Sequence, residues 1–310
     1  MKHSFKTHDQ RKIMKICFIF SNRSEYGELE PFIDYFKKTI KVDCIDLSKK
    51  IKNIEDNKTG IKIYQICLKQ FISKNYDYVC ILGDRKELPH VAFAAFYTNT
   101  KIIHFAAGEY IKSATTVDQY VRPIITILST IQICFSKEAV KNVQKLFSGI
   151  PYLKDNAYFS GNPIFRGIDL NKILQKNKER YDLVLLHPQS LSKKKTLEDI
   201  NKLKKQLSNK KTIFLYGNKD QNYHVIENYY KKLKAKKNSY IFYKTLPKEE
   251  YFGLVKYCDN FYTNTSSIYE IKHINKKSLK IIGDRNRDRN IEIFNDKAPE
   301  YVLKIIKNQK

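Results

Sequence analysis

One stretch of the chain combines the residue types that bind phosphate groups. An apolar run at residues 260–263 leads into a hydroxyl-rich turn with Ser266 and Ser267, and a helical pattern follows with Glu270 one turn inside it. The first amide groups of a helix lie at the positive end of its dipole and attract anions. Arg285 follows the next apolar run and offers a planar fork for two hydrogen bonds to one phosphate. We therefore expect a diphosphate pocket here, with Glu270 placed to accept hydrogen bonds from sugar hydroxyls.

Charged side chains also follow two apolar runs in the first half of the chain. Asp84 and Arg85 follow the run at residues 78–82, and Glu109 follows the run at residues 102–106. Open α/β sheets bind ligands at the carboxyl ends of their strands, so these side chains are candidates for one site. Asp84 has a second role open to it as the cap of the next predicted helix, and the two roles are compatible.

Further candidates lie at other helix starts and strand ends. Asp118 and Arg122 are four residues apart on one face of a predicted helix, where they could pair with each other. A surface pair of this kind contributes little stability, so pairing alone leaves their presence unexplained. His187 ends the run at residues 183–186, although a lone histidine is more often structural than catalytic. Arg23 follows the first strand with an acid and a glycine, a pattern that taken alone is typical of an ordinary βα turn.

Apolar runs alternate with helical patterns along the chain, which predicts an α/β fold of doubly wound parallel sheets. The predicted strands lie at residues 13–20, 42–47, 78–82, 102–106, 131–135, 157–159, 183–186, 213–216, 240–243, 260–262 and 279–282. A polar, strand-free stretch from Gly161 to about Arg180 marks a connection between two domains. We accordingly expect a disordered tail at residues 1–12, an N-terminal Rossmann-like domain at 13–168, a C-terminal one at 169–295 and a closing helix at 296–310.

Composition narrows the functional classes. The 310 residues are 42% hydrophobic, which is enough for two α/β domains. The net charge of +26 suggests nucleic-acid binding, but the excess is mostly lysine spread over predicted helix faces, as on a solvated surface. The six cysteines lack paired spacing and resemble buried thiols of a reducing cytoplasm. Residues 1–12 look like neither a signal peptide nor a membrane anchor, and no apolar run is long enough to span a bilayer.

The order and spacing of these motifs resemble the UDP-N-acetylglucosamine 2-epimerase family, and its hydrolysing branch in particular. Members read Arg-Ala-(Asp/Glu)-(Tyr/Phe)-Gly, then Gly-Asp-Arg, then Asn-Ser-Ser-Ser-Gly-Ile-x-Glu, then Ile-Gly-x-Arg. The counterparts here are Arg23-Ser-Glu-Tyr-Gly27, Gly83-Asp-Arg85, Thr263-Asn-Thr-Ser-Ser-Ile-Tyr-Glu270 and Ile282-Gly-Asp-Arg285. The resemblance covers residues 13 to about 289 and implies the B-type glycosyltransferase fold, in which two Rossmann-like domains face a cleft.

The resemblance also implies roles for individual residues. The implied catalytic residues are Asp84, Glu109, Asp118 and His187. The implied substrate contacts are Arg23, Arg85, Arg122, Asn218, Ser266, Ser267, Glu270 and Arg285. Neither a metal nor a cofactor is implied. As partners we expect a nucleotide sugar, UDP-N-acetylglucosamine or a relative, and further copies of the same chain, but neither nucleic acid nor a membrane.

The activity that the resemblance implies is the cytoplasmic release of UDP and N-acetylmannosamine through a glycal intermediate, a step toward sialic acid. Two departures from the family pattern bear on it. Ala106 stands where members usually have glutamate or histidine, and Pro123 stands where hydrolysing members have histidine. They motivate an alternative, a catalytically degenerate nucleotide-sugar-binding protein or a glycosyltransferase of the same fold.

Overall fold

The protein is described by a computed structural model that covers residues 13–51, 58–110, 116–175, 179–207, 210–235, 239–286 and 291–309. The expected tail at residues 1–12 lies outside these ranges. Within them, one sheet contains β1 (Lys15–Phe20), β2 (Lys41–Asp46), β3 (Tyr78–Leu82), β4 (Lys101–Phe105), β5 (Ile131–Cys134) and β6 (Ala157–Phe159). The other contains β7 (Asp182–Leu186), β8 (Thr212–Tyr216), β9 (Tyr240–Tyr243), β10 (Asn260–Thr263) and β11 (Leu279–Ile281).

All strand pairs in both sheets are parallel, which confirms the predicted fold class. The strand orders are β2-β1-β3-β4-β5-β6 and β11-β10-β7-β8-β9. In each sheet the chain moves outward in one direction, returns to the middle and then moves the other way. The reversal lies between β1 and β3 in the first sheet and between β7 and β10 in the second. Such reversal points open the crevice in which doubly wound sheets bind ligands.

The strands form where the sequence is continuously apolar. Strands β3 and β7 are buried along their whole length, because helices cover both faces of each sheet. Their side chains alternate between two hydrophobic clusters per sheet, one on each face. Every predicted strand is present, with ends that agree to within two residues. Burial on both faces therefore explains why the apolar runs predicted the strands so closely.

Helices connect the strands and cover the sheets. They are α1 (Arg23–Phe36), α2 (Leu47–Lys50), α3 (Thr59–Lys74), α4 (Leu88–Tyr97), α5 (Asp118–Leu128), α6 (Lys137–Ser148), α7 (Lys193–Gln206), α8 (Tyr223–Lys234), α9 (Lys248–Tyr257), α10 (Ile268–Asn275), a 3₁₀ turn (Lys276–Ser278) and α11 (Ala298–Asn308). Polar loop residues cap several of these helices: Asn22 Oδ1 accepts from Glu25 N at 2.9 Å, and Ser136 Oγ accepts from Ala139 N at 3.0 Å. None of the described helices is long and apolar enough to cross a membrane.

The start of α4 corrects one interpretation of Asp84. The helix begins at Leu88 with a proline in its first turn, not at residue 85, and Glu87 precedes it without a side-chain capping bond. Asp84 therefore lies four residues before the helix and does not cap it. Its carboxylate is available for the contacts described below.

The end of the chain returns to the first sheet. Val302, Leu303 and Ile306 of α11 belong to the same hydrophobic cluster as Phe32 and Phe36 of α1. We therefore call the first sheet with α1–α6 and α11 the N-terminal lobe, and the second sheet with α7–α10 the C-terminal lobe.

Candidate active site

The loops at the two reversal points face each other across a cleft. One cavity in this cleft, called here the charged cavity, is lined by Asp84, Arg85, Asp118, Arg122, His187 and Arg285, among others. A second cavity, called here the open groove, is lined by Arg23, Leu215, Tyr243, Leu246, Ser267 and Glu270, among others. His187, Asn218 and Ser266 line both cavities, so the two are continuous.

Arg122 organises the N-terminal side of the charged cavity. Its side chain is only 3% exposed, and its guanidinium donates to Asp84 Oδ2 and to the backbone carbonyl of Glu109. The suggested pairing of Asp118 with Arg122 is therefore wrong, because Arg122 forms its ion pair with Asp84. A buried guanidinium stabilises the fold only with acceptors in place, so this contact fixes Asp84 at the cavity wall.

The other two candidate carboxylates of this lobe, Glu109 and Asp118, lie in different surroundings. Asp118 lines the charged cavity, where burial first and the charge of Asp84 second raise its pKa to about 6, against the opposing charges of Arg285 and Arg122. Glu109 is buried, and its Oε1 accepts from Ser136 Oγ at 3.2 Å instead of lining either cavity. Of the candidate carboxylates Asp84, Glu109 and Asp118, Asp118 is thus the one best suited to move a proton near neutral pH.

Asn264 holds the C-terminal side together. Its Oδ1 accepts from His187 N at 2.8 Å, and its Nδ2 donates to His187 O at 2.9 Å and to Asp199 Oδ2 at 3.1 Å. Asn286 Nδ2 donates to the Asn264 carbonyl at 2.6 Å. These bonds tie the ends of β7 and β10 to the segment that carries Arg285, so His187 and Arg285 are held by one hydrogen-bonded unit.

Contacts cross the cleft between the lobes. Arg85 Nη1 donates to Asp220 Oδ1 at 2.6 Å, while Arg85 Nε donates to Glu87 Oε1 of its own lobe at 2.6 Å. Val117 N, at the start of α5, donates to Ser190 Oγ at 3.1 Å. These bonds join the N-terminal loops that carry Asp84 and Asp118 to the C-terminal lobe.

The open groove contains the start of α10. Ser266 and Ser267 lie at this helix start, and Glu270 lies in the first turn. Arg23, the first residue of α1, enters the groove from the other lobe. The positive end of a helix together with an arginine favours an anionic group, and Glu270 supplies an acceptor beside it.

The structure thus brings most of the candidate residues together. The charged cavity collects Asp84, Arg85, Asp118, Arg122, His187, Asn218, Ser266 and Arg285. The groove adds Arg23, Ser267 and Glu270, and Glu109 lies behind the cavity wall. Sequence reasoning did not select Asp220 as a site residue, although Asp220 closely follows β8, at the kind of strand end that supplied the other candidates.

Comparison with known proteins agrees with this geometry. Residues 30–295 match the sequence model of the UDP-N-acetylglucosamine 2-epimerase family. The chain belongs to this family. A solved structure described as the Methanocaldococcus jannaschii UDP-GlcNAc 2-epimerase in complex with UDP-GlcNAc and UDP has the same fold, with a TM-score of 0.74 at 17% identity, over 95% of this chain and 100% of that one.

Two curated proteins are similar in sequence. The polysialic acid biosynthesis protein P7 of Escherichia coli is 26% identical over 89% of this chain and 80% of its own length. The hydrolysing GDP/UDP-N,N'-diacetylbacillosamine 2-epimerase of Campylobacter jejuni is 26% identical over 69% of this chain. The aligned part is 58% of the Campylobacter protein, so this chain spans less than two thirds of it.

Glu25 is a buried acid at the edge of the charged cavity. Its Oε2 accepts from Ser21 N at 2.6 Å and from Ser21 Oγ at 2.9 Å. Burial raises the pKa of Glu25 from 4.5 to about 7, although the charge of Arg85 acts in the opposite direction. Between these pH values the folded protein retains a proton that the unfolded chain releases, so this group lowers stability as the pH rises.

Glu25→Gln removes this titration. Relative to wild type, we expect the variant's free energy of unfolding to increase by roughly 2–3 kcal/mol as the pH rises from about 4.5 to about 7. Urea unfolding followed by circular dichroism across this range measures the difference. Glu198→Gln, on the exposed face of α7, is the matched control and should show no such trend. A difference for Glu25→Gln that stays constant with pH would contradict the assignment.

Proposed function

We propose that this chain is a hydrolysing 2-epimerase that converts UDP-N-acetylglucosamine, or a close relative, into UDP and N-acetylmannosamine. The observation that carries the proposal is the division of one continuous cleft into two chemical environments. The open groove offers a helix start, Arg23 and the acceptor Glu270, whereas the charged cavity offers Asp84 and Asp118. This division fits a nucleoside in the groove, a sugar in the charged cavity and a diphosphate where the two meet.

The diphosphate is the leaving group in this proposal. As UDP leaves C1 and the proton leaves C2, a glycal forms and negative charge develops on the phosphate oxygens. The start of α10, Arg23 and Arg285 stabilise that charge. Among the described residues, the buried Nε and Nη1 of Arg285 have no hydrogen-bond partner, so this guanidinium retains donors for a phosphate. Glu270 accepts from the ribose hydroxyls.

The carboxylates act on the sugar. Asp118, with its pKa near 6, is largely ionised at neutral pH and basic enough to take the C2 proton. Asp84, held by Arg122, stabilises the positive charge that develops at C1. The backbone carbonyl of Glu109 accepts a hydrogen bond from Arg122 and so helps to hold Arg122, and through it Asp84, in place. Water then adds to the glycal at C1, and a proton returns to C2 from the opposite face.

Ala106 limits the rate in this account. It lines the charged cavity directly after β4 and can neither move a proton nor stabilise charge. General acid–base help from one group typically contributes ~10²–10⁴-fold, so its absence slows turnover without abolishing it. The alternative, a nucleotide-sugar-binding protein or a transferase, rests on Ala106 and Pro123. This alternative can be distinguished from the hydrolase by measurement, because a binding protein or a transferase releases no free hexosamine when no acceptor is present.

The curated relatives suggest where the product goes. One is named for polysialic acid biosynthesis and the other for epimerisation of a diacetylated amino sugar. We propose that this chain supplies an N-acetylhexosamine for the synthesis of sialic-acid-type sugars. We place the reaction in the cytoplasm, in keeping with six free cysteines, five of them buried.

Self-association is the remaining part of the proposal. Helix α4 contains no charged residue, although the chain carries a net charge of +26. With α5 it presents an exposed apolar face, defined by Phe93, Phe96, Tyr97, Tyr120 and Ile124. Copies of so basic a protein repel one another wherever lysines face outward, and neither α4 nor α5 contains a lysine. It therefore suits a second copy of the chain.

The assay for the function is incubation of purified protein with UDP-N-acetylglucosamine and no acceptor. We expect release of UDP and N-acetylmannosamine, and we expect Asp118→Asn to lower kcat at least about tenfold with UDP affinity nearly unchanged, because Asp118 acts mainly in the transition state. The exposed Asp34→Asn on α1 is the control. A wild-type protein that binds UDP but releases no hexosamine from any nucleotide N-acetylhexosamine would favour the binding-protein alternative.

Light scattering after size-exclusion chromatography tests self-association. We expect wild type to elute at a multiple of the chain mass of 36.7 kDa. Phe96→Asp should shift it to the monomer, because a buried unpaired charge opposes association. Tyr152→Asp replaces an aromatic side chain that is 96% exposed outside this face and should leave the mass unchanged. Monomeric wild type at all concentrations would refute the proposal.

A further inference from the structure

Asp220 occupies a tight turn after β8. Its backbone N donates to Asn218 O at 2.9 Å, and its carbonyl accepts from Tyr223 N at 2.9 Å, so the turn is fixed at both ends. The carboxylate meets three nitrogen-bearing side chains. Its Oδ1 accepts from Arg85 Nη1 at 2.6 Å, and its Oδ2 lies 3.4 Å from His187 Nδ1 and 3.8 Å from Arg285 Nη2.

These four side chains are between 11% and 19% exposed, so water screens their charges weakly. Burial raises the pKa of Asp220, but His187, Arg85 and Arg285 together outweigh burial and hold this pKa well below its usual range. Asp220 is therefore a carboxylate at neutral pH. Without it, two buried guanidinium groups would lie near an imidazole with no negative charge between them.

The three side chains that contact Asp220 come from both lobes. His187 and Arg285 belong to the C-terminal lobe, as Asp220 does, whereas Arg85 belongs to the N-terminal lobe, 135 residues away in sequence. His187 is also confined on its other side, since its ring occupies the space that a Cβ at Gly217 would need. One carboxylate thus both orients the imidazole and binds the facing lobe.

We propose that Asp220 is a positioning residue that assembles the leaving-group side of the site across the cleft between the two lobes. This inference rests on the proposed function. The bond to Arg85 holds the lobes together at the diphosphate position, and the contact with Nδ1 fixes the orientation of the His187 ring at the cavity wall. Asp220 does not bind the substrate itself, because a carboxylate and a diphosphate repel each other.

The proposal predicts a separation of binding from turnover. Asp220→Asn removes a negative charge beside Arg285, so UDP should bind at least as tightly as to wild type. Turnover should fall at least about tenfold, because His187 and Arg85 lose their common partner. Loss of a nearby carboxylate disfavours the imidazolium, so the pKa of His187 should fall further below its usual value. Loss of a side chain needed only for folding would not lower turnover and the pKa of His187 while leaving UDP affinity intact.

The test combines three measurements on full-length protein: kcat with UDP-N-acetylglucosamine, UDP binding by calorimetry, and the titration of His187 by nuclear magnetic resonance of labelled histidine. Glu87→Gln is the matched control, because Glu87 also accepts from Arg85 but has no contact with His187. It should leave the His187 titration unchanged. Asp220→Glu keeps the charge and should restore the pKa of His187 at least in part.

A double-mutant cycle tests the link across the cleft. If Asp220 acts through Arg85, the double variant with Arg85→Gln and Asp220→Asn should lose no more kcat than the worse single variant. The proposal would be overturned if the fold losses in kcat of the two single variants multiply in the double variant, or if the pKa of His187 is unchanged in Asp220→Asn. The titration and the calorimetry need no turnover, so they still decide it if the wild-type protein releases no product. In that case only the proposed function fails. If Asp220→Asn does not fold, the His187 titrations of Asp220→Glu and Arg85→Gln take its place.

Discussion

Parallel strand pairing is the constraint on which the site depends. Because all pairs in both sheets are parallel, the loops that follow the strands gather at one edge of each sheet. The two edges face each other, and side chains that are far apart in sequence, such as Arg85 and Asp220, therefore meet in the cleft. The apolar strands form the cores, and the polar loops at their ends form the site.

Arginine holds this site in shape. Arg122 joins Asp84 to the Glu109 carbonyl, and Arg85 joins Glu87 to Asp220, so each guanidinium connects two acceptors from different segments. A planar fork suits such bridging contacts better than the single ammonium group of lysine. This explains why a chain with 58 basic residues, 49 of them lysine, retains arginine at the cleft.

The sequence predicted the fold well because each strand is a short, buried apolar run, and the loops after the strands identified most of the cavity lining. The sequence did not predict which charged side chains pair with each other. Arg122 pairs with Asp84 instead of Asp118, because a helix face that looks exposed in sequence is buried against the β3 loop. The position of Glu109 behind the cavity wall, and of Asp220 among three nitrogen-bearing side chains, depends on contacts between segments that no local pattern records.

In the proposed reaction, the bond between C1 and the leaving oxygen breaks and the C2 proton exchanges with solvent. Mass spectrometry of the products formed from UDP-N-acetylglucosamine in heavy water enriched in oxygen-18 tests it directly. We expect N-acetylmannosamine with one deuterium at C2 and oxygen-18 at C1, and UDP without oxygen-18. Oxygen-18 in UDP, or a hexosamine without deuterium at C2, would contradict it.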